Sequence, residues 1–294
     1  GPGGPMRPEE WIGSTTTRFG QSLNGLSKVE GGQLLKDLID QDPVSWLGEK
    51  HLKKYGSSTE ILVKLLDPDQ RLPVHYHPDQ KFAKEKLHLN HGKTEAWIIL
   101  EAPADAKVGL GFAQSMKKDV VHDMVKRMDS AALLASLTMV PVKPGDAILV
   151  PAGTPHAIEA GIFVLELQEP TDLSALLEWE GFAVDGIKDG HLGLGFDTVL
   201  DALRFDPISA AEQKELIKST IKEYMGTGSS GGNSTDGNDV KSQRVGGGSF
   251  KSDEDEIKFY NNQNAGDGGQ GMQTRGMEKT QKIGNPNRTR FTRI

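Results

Sequence analysis

Eight short segments rich in Val, Ile and Leu follow one another along the chain, each bounded by turn-forming residues, at 60–66, 72–77, 94–100, 107–112, 138–142, 146–150, 155–159 and 162–168. Such a series of short strands predicts a β-barrel or sandwich. Helical patterns surround and interrupt it. GGQLLKDLIDQ, DPVSWLGEKHLKKYG with Pro43 at a first helical position, and HPDQKFAKEKLH all read as helices. A longer pattern, KKDVVHDMVKRMDSAALLASL, sets Val121, Met124, Val125 and Met128 on one stripe, which is a packing face. A last helix is expected to open at Ser209, with Glu212 completing a capping box, and to run to about Met225.

Composition bounds the rest. The 294 residues include no cysteine, which excludes disulfides, thiolate metal sites and cysteine nucleophiles, so any metal must be held by nitrogen and oxygen. From Gly226 onward the sequence turns to Gly, Ser, Asn and charge, with ten Lys+Arg against eight Asp+Glu, leaving 24 against 33 before it. Residues 226–294 therefore read as a low-complexity, disordered tail behind an acidic domain at 1–225. An acidic body argues against nucleic acid as a partner. No apolar run reaches the length of a membrane span and GPGGPMRPEEW lacks a signal-peptide core, so no membrane partner and a cytoplasmic location are expected.

The chemistry gathers in two stretches. In RLPVHYHPDQ the strand period of two puts His75 and His77 on one face and Tyr76 on the other, half of a metal site. In PGDAILVPAGTPHAIEAG, Gly145 is followed by Pro151, Gly153 and His156 at the spacing Gly-x5-Pro-x-Gly-x2-His, which resembles the second signature of the cupin β-barrels. A cupin site uses a fourth ligand, usually a carboxylate from the strand after the His-x-His strand, and Glu95 in HGKTEAWIIL opens such a strand. The candidate set is His75, His77, Glu95 and His156, suited to a divalent ion such as zinc, manganese, iron or nickel.

RPEEWIGSTTT, ILVKLLDPDQRLPVHYHPD, GKTEAWIIL and VPAGTPHAIEAG together resemble the class I mannose-6-phosphate isomerases, in their shorter bacterial-type form, over roughly residues 7–205. The resemblance implies an all-β cupin fold with flanking and inserted helices, zinc as the usual metal, and a sugar phosphate substrate, with mannose 6-phosphate and fructose 6-phosphate interconverted. The four candidate ligands fall on the ligand positions of that pattern, although longer members carry glutamine where this chain has His75. Two departures stand out. Leu176 falls where the family places an arginine, none following until Arg204, and the second, degenerate cupin half of longer members is replaced by the tail.

Moving a carbonyl between C1 and C2 of a sugar needs a base to shuttle a proton and groups to hold an enediol. Lys93, two residues from Glu95, projects on the same strand face, and by resemblance it matches an active-site lysine. Asp172 and Glu166, after and within IFVLELQ, are the other catalytic candidates, and Trp11 and Ser14 are expected to line the pocket. Arg18, Lys64 and Arg71 are the candidate phosphate anchors, and His91 lies in the loop before Glu95. GHLGLGFDTV reads as a turn capped by Asp197. The leading expectation is a metal-dependent aldose–ketose isomerase of a hexose phosphate. The alternatives are a cupin isomerase of a different, unphosphorylated sugar and a non-catalytic sugar-binding or sensing cupin.

Overall fold

A computed structural model describes residues 9–218, so the sequence-derived tail at 226–294 lies outside the described residues. The strands are β1 (Glu9–Ile12), β2 (Leu62–Leu66), β3 (His75–Tyr76), β4 (Glu95–Glu101), β5 (Lys107–Phe112), β6 (Leu137–Pro141), β7 (Ala147–Val150), β8 (His156–Ile158), β9 (Phe163–Gln168), β10 (Ala175–Leu176) and β11 (Ile217–Lys218). All eight expected strand segments are present. They form two antiparallel sheets, in the orders β1-β2-β9-β4-β7-β11 and β10-β3-β8-β5-β6.

Register fixes what each sheet buries. Trp11, Lys64, Glu166, Trp97 and Ile148 are paired across five strands of the first sheet, so their side chains form one row on one face. The neighbouring row runs Leu62, Gln168, Glu95, Val150. All nine are buried, and Trp97 and Ile148 pack with Val108, Leu110 and Ile158 of the second sheet in one apolar cluster. The two sheets therefore pack face to face around a core whose middle rows are partly polar.

The second sheet is buried on both faces. Tyr76, turned away from its histidine neighbours, donates its hydroxyl to Val199 O at 2.6 Å and packs beneath two helices, α5 (Lys118–Lys126) and α6 (Ser130–Ala135). Val121 and Val125 of α5 are fully buried there, each such side chain contributing about 1.5–3 kcal/mol.

Three helical expectations and one turn are corrected. DPVSWLGEKHLKKYG is two helices, Pro43–Leu47 and Glu49–Tyr55, because Gly48 adopts φ 77° and breaks the run. The long pattern is likewise split at Met128, whose φ of 53° ends α5, and Met128 is exposed rather than part of the packing stripe. The last helix, Ala210–Leu216, starts with Ser209 Oγ accepting from Glu212 N at 3.2 Å, but the Glu212 carboxylate turns to Arg204 and the chain leaves the helix to pair with β7 as β11. Asp197 does not cap the GHLGLG turn; it sits in the first turn of a short helix, Phe196–Val199. Among the described residues no helix is long and apolar enough to cross a membrane.

Candidate metal centre

β3 delivers His75, the chain just beyond it His77, and β8 His156; their imidazole nitrogens lie within 4.8 Å of one another. Gly153 makes the approach possible. Its φ of 84° turns the chain between β7 and β8, its N–H donates to His77 O at 2.6 Å, and a Cβ there would come 3.0 Å from Ala202 O. Gly92 does the same for β4. A Cβ on Gly92 would lie 2.4 Å from the Asp79 carbonyl carbon, and the close approach lets Lys93 N donate to Pro78 O at 3.0 Å.

The hydrogen bonds of the rings decide their tautomers. His75 Nδ1 lies 2.7 Å from Pro73 O, His77 Nδ1 2.6 Å from Leu173 O, and His156 Nδ1 2.8 Å from Thr154 O. A carbonyl only accepts, so each Nδ1 carries the proton and each Nε2 presents a lone pair. Those lone pairs converge. His77 Nε2 is 3.1 Å and His156 Nε2 3.3 Å from the Glu95 carboxylate, itself acceptor-only, and His75 Nε2 is 3.1 Å from His156 Nε2. His77 Nε2 and Glu95 Oε2 are buried without a hydrogen-bond partner. Four acceptors facing one point fit a cation of nitrogen and oxygen preference, with the three backbone carbonyls orienting the rings behind it.

Electrostatics agree. Burial holds the His75, His77 and His156 rings below the ordinary histidine range, His77 at about 3, so all three are neutral at physiological pH. Burial alone would raise the Glu95 carboxyl, but Lys93 and the adjoining histidines outweigh it and keep Glu95 ionised. Lys93 Nζ is 3.2 Å from Glu95 Oε2, and Trp97 Nε1 donates to Oε1 at 3.0 Å.

A second polar group lies along the adjacent row. Lys64, 3% exposed, has Glu9 at 3.0 Å, Asp172 at 3.6 Å and Glu166 at 3.8 Å, with its ammonium 4.6 Å above the Trp11 ring. Trp11 Nε1 donates to Glu9 at 2.7 Å, and Arg18 reaches the same carboxylate at 3.3 Å. Burial would raise the Glu9 carboxyl, but Lys64 and Arg18 draw it down to about 2. Glu166 goes the other way, pushed up to about 7 by burial and then by the Glu95 charge. Glu9 has no place among the candidates read from the sequence; its burial depends on β1 pairing with β2 more than fifty residues away.

Other candidates separate from the cluster. The Ser14 hydroxyl is used locally, bonded to the backbone of Thr16 at 3.1 Å. His91 pairs with Glu60 at 3.1 Å, and Arg71 forms a two-pronged ion pair with the fully buried Glu178. Leu176 is paired with His75 in register, which sets its half-buried side chain on the face of the histidines.

Fold and site define a two-layer antiparallel β protein in which three histidines able to hold a metal ion are gathered beside a buried carboxylate. Residues 8–98 match the family model of the type I phosphomannose isomerase catalytic domain, and the chain is similar beyond that stretch to proteins named mannose-6-phosphate isomerase. It is 35% identical over 206 residues to "Probable mannose-6-phosphate isomerase GmuF" of Bacillus subtilis, covering 69% of this chain and 63% of that one. It is also 35% identical over 185 residues to "Mannose-6-phosphate isomerase ManA" of the same organism, covering 62% of this chain and 56% of the relative. The chain thus spans less than two thirds of either relative's length. The crystal structure of the mannose 6-phosphate isomerase of Bacillus subtilis shares the fold, with a TM-score of 0.50 at 24% identity over 67% of this chain and 59% of that one.

Proposed function

We propose that the domain at 1–225 is a cupin that interconverts mannose 6-phosphate and fructose 6-phosphate, with one zinc ion held by His75, His77, Glu95 and His156. The observation that carries this reading is the convergence of three Nε2 lone pairs and an ionised carboxylate beside a buried lysine and a buried, raised carboxyl. Zinc takes such a nitrogen and oxygen set, and when bound it would polarise the substrate carbonyl and neighbouring hydroxyl.

The chain's own residues do the rest. Isomerisation removes a proton from the carbon beside the carbonyl, forms an enediol and returns the proton to the other carbon. Glu166, whose carboxyl titrates near neutrality, is suited both to take that proton and to give it back. Lys93 sets a buried positive charge beside Glu95, where oxygen charge develops. Asp172, Glu9 and Lys64 form a charged group packed against the buried Trp11 ring, placed to set the polarity of the sugar site.

A coupled assay of metal-quantified protein tests the reading. Turnover of mannose 6-phosphate that is lost on chelation and restored by zinc is the expected result; full turnover without bound metal overturns it. One observation favours a second reading, an unphosphorylated sugar as substrate: the side chain set beside His75 by β10 is the apolar Leu176. Free mannose in the same assay separates the two.

A further inference from the structure

Gln168 is the last residue of β9 and stands directly across from Glu95 in the inner row of the first sheet. It is 4% exposed. Its amide is oriented from one side only. Nε2 donates to Thr171 O at 2.5 Å and to Glu169 O at 3.1 Å, and both acceptors are carbonyls, so the nitrogen is fixed on that side. The segment that holds it is itself pinned to the strand carrying Lys93 and Glu95, through Thr171 Oγ1 to Gly92 O at 2.6 Å and Thr94 N to the Glu169 carboxylate at 2.7 Å. Gln168 Oε1 is left buried with no hydrogen-bond partner.

A buried amide oxygen without a donor is unfavourable, and such groups in native proteins await a partner. Glu95 Oε2 of the same row and His77 Nε2 of the histidine cluster are likewise buried without a hydrogen-bond partner. Glu95 and the three Nε2 atoms offer no proton, and the neighbouring donors, Lys93 Nζ at 3.2 Å and Trp97 Nε1 at 3.0 Å, are both turned to Glu95. A molecule that enters the site can supply the missing donor, and a sugar presents hydroxyls. We propose that Gln168 is a substrate-positioning residue, its Oε1 accepting a hydrogen bond from a sugar hydroxyl next to the reacting carbons. The assignment rests on the isomerase reading and deepens it: the site selects polyhydroxylated substrates through a rigid acceptor placed beside the carboxylate ligand.

The test is calorimetric binding to zinc-loaded, metal-quantified protein of a hexitol 6-phosphate and the free hexitol, which cannot isomerise, and of their analogues lacking the hydroxyl at C3 or at C4. Wild type should bind one deoxy analogue about tenfold more weakly than its parent, whereas Gln168→Met should bind the parent about tenfold more weakly and discriminate no longer. The wild-type comparison answers the question by itself if the methionine variant fails to load zinc, since equal affinity for the parent and for both deoxy analogues overturns the proposal. Unchanged affinity and discrimination in Gln168→Met would likewise overturn it and leave the oxygen to an ordered water only. If wild type binds neither hexitol, the isomerase reading itself has failed, a result separate from equal binding by wild type and variant.

Discussion

His75 Nε2 and His156 Nε2 stand 3.1 Å apart, and neither has a proton to share, because both Nδ1 atoms are committed to backbone carbonyls. Two lone pairs at hydrogen-bond distance repel unless a cation lies between them. Metal binding should therefore stabilise the fold as well as complete the site. Zinc at about a hundred times its dissociation constant should raise the melting midpoint of chelated protein by about 5 °C or more. His156→Ala should abolish the response. Thermal scans with and without chelator decide it, and a midpoint indifferent to zinc would show that the cluster holds no ion.

Gly92 carries a second, independent expectation. Its missing Cβ is what lets residues 92–93 lie against Pro78 and Asp79, and a methyl group there would meet backbone at 2.4 Å, which cannot rotate away. Gly92→Ala should cost about 1–3 kcal/mol of stability and also weaken zinc binding, since Glu95 would shift with its strand. Denaturant unfolding together with zinc titration measures both; a variant with wild-type zinc affinity would show that the approach is not needed to form the centre.

How far the sequence reached follows from the range of each interaction. The eight strand segments read from the sequence carry their own Val, Ile and Leu runs between turn residues, and the inward pairing of His75 with His77 needs only a period of two. His156 was legible because Gly153 imposes a backbone that few residues adopt. The missed strands, β1, β10 and β11, are two to four residues long and exist only through their partners. Glu9 was invisible for that reason: its neighbours Lys64 and Trp11 reach it only once β1 lies on β2. Arg71 shows the converse limit: before the His-x-His strand it reads as a candidate phosphate anchor, and only the fold sets Glu178, more than a hundred residues on, against it.

That ion pair is a stability element. Glu178 is fully buried, and besides Arg71 it accepts from Val74 N at 2.6 Å, the residue before His75. Removing the guanidinium leaves a buried carboxylate with too little compensation. Arg71→Ala should destabilise the protein by about 3 kcal/mol while leaving the KM for sugar phosphate close to wild type once the protein is folded at low temperature. A KM raised tenfold with unchanged unfolding would instead make Arg71 an anchor after all.

The opposite displacements of Glu166 and Glu9 give the pH dependence its shape. Glu166 is raised from 4.5 to about 7, so the folded state holds its proton more tightly than the unfolded chain. Its contribution to stability is complete below 4.5 and is lost as pH rises through about 7. Glu9 is lowered from 4.5 to about 2, so its contribution is present above 4.5 and disappears as pH falls toward 2. In chelated protein, where metal binding adds no titration of its own, wild type should lose stability relative to Glu166→Gln between pH 5 and pH 8. Relative to Glu9→Gln it should lose stability only on the acid side, below 4.5. Denaturant midpoints measured from about pH 2 to pH 8 read both differences. A wild type that gains on Glu166→Gln toward pH 8 would mean that the carboxyl is ionised in the fold and that Lys64, at 3.8 Å, governs it instead of its burial.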